Sequence, residues 1–465
     1  MNPKASYKIG IILCLSIGLA SPCVLAEVRL EQAVKKAIEH DPDVQYKWHD
    51  FLSSAQEVKA AESGYLPSVD LTADYGLESR NYIPNSEFSG FNTNLTVTQM
   101  LFDGFGTRFQ VERFERIHLV RYFELLDAVE RTTLAAFSAY LNVLRHRELV
   151  RLARNNFNEH ERVFKQIEQS AKAGVARRAD LEQVTGRLAL AESNYLTELS
   201  NLHDAGAQYL RLVGEIPSEE MALGELEVDI LPSGFDEVMK IAYRNNPAYL
   251  ASLKNVEASH AELQIERSQN RPKINLSASY GYRNYDDLGY SDDRQDGRIA
   301  LELSYNFYSG GRIMANTERA NEQVSLAKEL RHKSCIEMRQ ELQIAFNETR
   351  NLARKLPVLN QHQLSSNRVI TAYRAQFDIG QRTLIDMLDS ENEFFQSSRN
   401  LTNGKYDLKI AIARTLAGMG QLLNYLQIKR DGLPDLHQMG IDPSQLQADY
   451  ACPLVDLSDV EELKP

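Results

Sequence analysis

A segment of this chain occurs twice. Leu30-Glu-Gln-Ala-Val-Lys-Lys-Ala-Ile-Glu-His-Asp-Pro42 returns as Phe235-Asp-Glu-Val-Met-Lys-Ile-Ala-Tyr-Arg-Asn-Asn-Pro247, an offset of 205 residues. The same offset carries Pro67 to Pro272 and Tyr75-Gly76 to Tyr280-Gly281. An offset of 206 carries Gly104 to Gly310, Gly174 to Gly380, Asp180 to Asp386 and Gly214 to Gly420. Self-similarity at a fixed offset means one supersecondary unit used twice. The chain accordingly divides into a first repeat over 27–232, a second over 233–430 and a tail over 431–465.

Residues 1–26 read as a secretory signal peptide. Lys4 and Lys8 supply positive charge, Ile9 to Ala20 is apolar, and Val24-Leu25-Ala26 is a small-residue cleavage site. That apolar run is shorter than the roughly 20 residues a transmembrane helix needs, and no other run is long enough. Removing the leader takes Cys14 and Cys23 with it and leaves Cys335 and Cys452. Two cysteines make no disulfide framework, and no bond between them is expected. The net charge of −12 gives no reason to expect nucleic-acid binding.

Each unit changes its hydrophobic period as it runs. Leu30, Ala33, Val34, Ala37 and Ile38 recur at helical spacing, which predicts a helix from Leu30 to about Ser63. The period then becomes two. Val69, Leu71, Ala73, Tyr75 and Leu77 alternate with Ser68, Asp70, Thr72, Asp74 and Gly76, and Asn92 to Phe102 alternates more weakly. In the second unit Ile274, Leu276, Ala278, Tyr280 and Tyr282 alternate with polar or small residues, as do Ile299, Leu301, Leu303, Tyr305 and Phe307. Strands of about 10 residues with one apolar and one polar face fit a membrane barrel, and they also fit a half-buried sheet on a soluble core. The polar stretches Asn81–Gly90 and Asn284–Gly297 are expected as loops at the hairpin tips.

After each hairpin comes a very long helical stretch. Residues 108–172 contain no proline, and a helix that long reaches roughly 97 Å. Residues 178–213 make a shorter helix closed by Gly214. The opening helix and this shorter one, end to end, match the long one and are expected to lie beside it. The second unit repeats the plan over 312–376, where Pro357 is expected to interrupt the helix.

Four strands cannot close a barrel, and an open edge in lipid leaves backbone groups unsatisfied. If the strands lie in a membrane, the chain must therefore associate, and three copies give about 12 strands. The expected fold is a mixed α and β membrane protein: a trimeric transmembrane β-barrel, four strands per protomer, continued by a long α-helical periplasmic barrel and internally duplicated.

With the duplicated unit and paired strands, two motifs, Gly174-Val-Ala-Arg-Arg-Ala-Asp180-Leu-Glu-Gln and Gly380-Gln-Arg382-Thr383-Leu-Ile-Asp386-Met-Leu-Asp389, make the chain resemble the TolC family of outer-membrane channels over residues 27–425. The resemblance implies a homotrimer in the outer membrane extending into the periplasm. It also implies a periplasmic adaptor and an inner-membrane ABC or other transporter as partners. It places a gate at the periplasmic tip. Arg382 matches the basic residue that helps hold the inner hairpin closed, Asp180 its acidic partner on the other hairpin, and Asp386 and Asp389 a ring of carboxylates. Phe377 stands where the prototype has a tyrosine, so it lacks that hydroxyl. Asp386 and Asp389 also share a helix face by spacing alone, which a solvated acidic face explains equally well. Arg177-Arg178-Ala-Asp-Leu-Glu-Gln and Gly186-Arg-Leu-Ala-Leu-Ala-Glu-Ser-Asn194 look more like the type I secretion (AggA-like) branch than the drug-efflux branch.

No phosphate-cradling glycine loop, metal-spaced His/Cys cluster or nucleophile–base set is present, so neither an enzyme nor a cofactor is expected. The function expected is a passive exit duct for a large secreted protein such as an adhesin. Small-molecule efflux is the alternative, and a non-transporting periplasmic coiled coil or adhesin scaffold is a weaker one.

Overall fold

The computed structural model describes residues 28–81, 86–222, 228–287, 290–428, 432–436, 438–439 and 452. The expected leader and most of the tail lie outside the described residues. A short strand β1 (Val28–Arg29) leads into α1 (Leu30–His40) and α2 (Pro42–Glu62), then strands β2 (Ser68–Arg80) and β3 (Ser86–Phe102). Helix α3 (Gly106–Lys172) and helix α4 (Arg178–Val213) follow. The second copy reads β4 (Met221–Ala222), α5 (Phe235–Asn245), α6 (Pro247–Ser268), β5 (Lys273–Asp287), β6 (Tyr290–Ser304), α7 (Arg312–Asp378), α8 (Leu384–Gly418) and the short α9 (Leu422–Tyr425).

The opening helix is broken where one continuous helix was expected. Asp41 is extended, and its carboxylate accepts the amide hydrogens of Asp43 and Val44 ahead of Pro42. Asn246 plays the same part before Pro247, accepting from Tyr249. A residue preceding proline is pushed out of the helical region, while proline suits the first helical turn. Pro357 departs from expectation in the other direction: α7 runs unbroken through it for 67 residues.

The four long strands form one antiparallel sheet in the order β2-β3-β5-β6. Their register aligns Val69, Val97, Ala278 and Ile299 in one row, and Leu71, Leu95 and Tyr280 in the next. The opposite face carries Asp70, Thr96, Ser279 and Arg298. One sheet face is therefore apolar across its whole width, and it is bare: Leu71, Leu77, Ile299 and Leu303 are all more than 60 % exposed. Both outer strands keep an unpaired edge within the protomer. Ser86–Gly90 and nearly all of Asn284–Gly297, expected as loops, extend the strands instead. Among the described residues no helix is long and apolar enough to cross a membrane.

The helices form one layer. Helix α2 lies beside the first part of α3, where Phe51 stacks on His118 and Lys47 pairs with Glu124. Helix α4 lies beside the remainder, where Phe157 stacks on Tyr195. On its other side α3 meets α6 through Arg113–Glu262 and α8 through Arg145–Asp407. Helix α7 closes the layer beyond α6 and α8, through Arg319–Glu266 and Arg414–Glu348. A helix this long is stable because it packs along its length, not by propensity. The main core lies about mid-length, where Tyr140, Phe137, Tyr243, Tyr249, Leu342 and Ile412 are buried together.

The start of the tail runs over this core. Tyr122 donates its hydroxyl hydrogen to the Pro434 carbonyl at 3.0 Å, and Leu433, Leu436 and Met439 pack onto the core. Cys452 is disulfide-bonded to Cys335 on α7, contrary to the expectation of no bond. The long sequence separation is no obstacle, because the tail folds back and brings the two Cα atoms within 5.9 Å.

Candidate gate at the helical tips

Both helical hairpins turn in the same way. Val175 donates its amide hydrogen to the Ser170 carbonyl, and Gln381 to the Gln376 carbonyl. These are the six-to-one bonds of a Schellman turn, with Gly174 and Gly380 at φ of 78° and 73°. A side chain at either position would strain the turn. Val175 and Ile379 project from the two turns, 82 % and 68 % exposed.

The structure brings four of the five expected gate residues into a connected region and leaves one aside. Thr383 caps α8: its Oγ1 accepts the Asp386 amide hydrogen at 3.2 Å and donates to the Asp386 carboxylate at 2.8 Å. Thr383 is thus the N-cap of α8 and also holds the Asp386 carboxylate in the first turn. Arg382 lies 3.7 Å from the same carboxylate, donates to the Gln376 side chain at 2.9 Å, and stacks on Tyr373 at 4.1 Å. The expected Asp180–Arg382 pair is therefore absent within the protomer, because Arg382 is folded back onto its own hairpin. No described side chain pairs with the Asp180 carboxylate.

Asp389 is one turn further along α8 and points to the first hairpin, where Arg187 of α4 holds it. Phe377 faces inward to a small apolar plug. Val163 and Ile167 of α3, Val184 of α4 and Met387 and Leu388 of α8 are buried there, with Phe377 and Leu384 against them. Without a hydroxyl, Phe377 contributes packing to this joint and no polar bond.

Five residues that sequence reasoning missed carry the polar side of the joint. Arg374 of α7 binds Glu391 of α8 and lies 3.3 Å from Glu159 of α3. Deeper in the interface, Arg399 of α8 binds Glu198 of α4 at 2.6 Å. Glu391 and Glu198 are buried, and each carboxylate has an arginine as its main charged partner, with Asn201 and His146 also beside Glu198. Burial pushes the Glu391 carboxyl up, and Arg374 opposes that. The half-exposed Arg187–Asp389 pair contributes only about 0–1 kcal/mol. His160 is buried beside this cluster, and burial together with Arg187 pushes its imidazole down to about 4, so it is neutral at physiological pH. The only sequence signal for these residues was the Gly186-Arg187 segment, and nothing in its spacing identified Asp389 as the partner.

Among the described residues no group of acids, histidines or cysteines could hold a metal ion.

The family model "Outer membrane efflux protein" matches residues 33–215 and 238–421, once in each repeat. The outer membrane efflux protein BepC of Brucella suis is 23% identical over 371 residues, 79% of this chain and 80% of that protein. The alkaline protease secretion protein AprF of Pseudomonas aeruginosa is 22% identical over 400 residues, 81% of each chain. Among solved structures, the CmeC outer membrane channel of Campylobacter jejuni superposes with a TM-score of 0.76 at 15% identity, covering 84% of this chain and 86% of that one. The chain belongs to the outer membrane efflux protein family, the family of TolC, and is an outer-membrane channel extending into the periplasm, not an enzyme.

Proposed function

We propose that the protein is the exit duct of a tripartite export system, assembled from three copies. The sheet carries the reading. Its apolar face is continuous across four strands and, among the described residues, covered by nothing, and both of its edges are open. Such a sheet is stable in lipid only when further copies pair its edges, and three copies supply 12 strands. The helix layer is open in the same way: its outer elements α4 and α7 expose Leu190, Leu196, Leu326 and Ile344. Closing the sheet closes this layer into a tunnel.

The tips of the hairpins then ring the periplasmic mouth. Asp386 and Asp389 line its constriction, Phe377 plugs each joint, and Asp180, unpaired within its own protomer, meets Arg382 of a neighbouring copy. The exposed Val175 and Ile379 offer an apolar surface to a periplasmic adaptor, which couples the duct to an inner-membrane transporter. A duct takes its specificity from the pump. The likeness to the protease secretion protein AprF and the segments Arg177–Gln183 and Gly186–Asn194 favour a secreted polypeptide, such as a large adhesin, as cargo.

Two experiments test this. Light scattering of the detergent-purified protein should give three copies per particle, and a monomer would refute the assembly. Deleting the gene should abolish release of a large extracellular protein while leaving tolerance of toxic small molecules intact. The opposite phenotype would replace secretion with efflux, the function that BepC's name records for that relative.

A further inference from the structure

At the foot of the sheet, where strands give way to helices, three cations surround one depression of about 380 Å³. Arg271 lies between α6 and β5, Lys273 opens β5, and Arg312 opens α7. Lys273 pairs with Ser304 in the last rung of the β5–β6 ladder, so the depression sits at the end of the sheet and not along it. No carboxylate lines it. Among the described residues none of the three cations forms an ion pair, and all three are exposed.

The fold holds these charges where they are. Arg271 donates to the Gly104 carbonyl at 3.0 Å, and its guanidinium lies over the Phe105 ring at 5.5 Å. The acid closest to it in sequence, Glu266, is buried and already taken by Arg319 at 2.9 Å and Gln269 at 3.0 Å. The first turn of α7, Arg312 and Ile313, lines the depression and brings the positive end of a 67-residue helix to it. Unneutralised cations beside a helix start suit phosphate oxygens, which the arginine fork can grip in pairs. One wall is apolar. Tyr305, packed edge-on against Phe307 at 4.7 Å, lines the depression and continues the exposed row of Ile299, Leu301 and Leu303. A free inorganic anion has no use for that wall, whereas a phosphate carrying acyl chains uses both.

We propose that this depression binds the phosphate of an anionic phospholipid, whose acyl chains lie along the apolar face of β6. Basic pockets at membrane boundaries hold anionic head groups in this way, and aromatic residues mark the same level in membrane barrels. This rests on the duct reading above, which puts the apolar face in the outer membrane and the foot of the sheet at its periplasmic surface.

Native mass spectrometry of the full protein tests it, with the protein purified in a neutral detergent and titrated with phosphatidylglycerol or phosphatidylcholine of the same acyl chains. The parent should bind phosphatidylglycerol more tightly, and the preference should shrink as salt rises. Lys273→Gln/Arg312→Gln removes two exposed cations and leaves Arg271 on the Gly104 carbonyl. The double variant should bind phosphatidylglycerol roughly 25-fold more weakly, about fivefold per cation, with phosphatidylcholine binding unchanged. That unchanged binding, read on the same sample, separates loss of the site from loss of the fold. Inorganic phosphate at matched ionic strength should not displace the lipid; displacement would make this a free-phosphate site and overturn the assignment. Equal binding of the two lipids by the parent, or parent-like phosphatidylglycerol binding by the variant, would overturn the lipid site and leave the duct standing. A protein that stays soluble without detergent and binds neither lipid would overturn both.

Discussion

Glu130 of α3 is buried in the mid-length core at 5 % exposure, and burial pushes its carboxyl up to about 8. The neighbouring Asp127 adds to the shift, while the backbone amides of Leu423 and Leu422 oppose it. The group is therefore protonated in the folded protein at pH 7 and ionised in the unfolded chain. Because its folded value lies above its unfolded value of 4.5, its contribution is fully present below pH 4.5 and is lost as pH rises toward 8. Each pH unit between these limits removes about 1.4 kcal/mol, so the loss at pH 7 is about 3 kcal/mol. Glu130→Gln keeps the shape and cannot ionise. The variant should match the parent near pH 4.5 and exceed it by about 3 kcal/mol at pH 7. The chain's single tryptophan, Trp48, packs against this same core, so its fluorescence during urea unfolding in detergent reads the difference directly. If the pH dependence of the midpoint is the same in parent and variant, Glu130 is not protonated in the fold and the reasoning fails.

Two further predictions concern how the protomer is held together. Arg399→Ala should cost up to about 3 kcal/mol by taking the charged partner from buried Glu198, which keeps only Asn201 and His146 beside it, and Glu198→Gln in the same chain should recover most of that loss in urea unfolding. Cys452→Ser opens a covalent loop spanning 117 residues of sequence; it should lower the melting point by the equivalent of up to about 4–5 kcal/mol, with the particle mass on light scattering unchanged from the parent's.

Much of the architecture was legible because period and punctuation agreed. The predicted helix over 178–213 is the observed α4, and the predicted start of the long helix differs from the observed Gly106 by two residues. The strands were recognised by alternation, but their outer ends were not, because Asp- and Asn-rich segments such as Asn284–Gly297 lose the apolar signal while the backbone ladder continues. Pro357 shows tertiary packing overriding a local rule: neighbouring α8 lies along the helix there, with Leu356 and Leu359 close against Gly404. The break at Asp41-Pro42 is written in the repeated motif itself, in the acid or amide before proline, but the helical period runs on through it and masks it. The contacts at the candidate gate were legible where they are local in sequence and illegible where they depend on packing. Asp386 and Thr383 are neighbours in sequence, but Arg187 and Asp389 lie 202 residues apart and meet only because α4 and α8 pack side by side. Cys335 and Cys452 were missed for the same reason.

The claim that three such chains make one gated pore is tested most directly by planar-bilayer recording of the detergent-purified, leader-free protein, with and without a multivalent cation on the periplasmic side. Discrete conductance steps are predicted, blocked by the cation and released from block in Asp386→Ala/Asp389→Ala. A protein that stays soluble without detergent and never conducts would contradict the account.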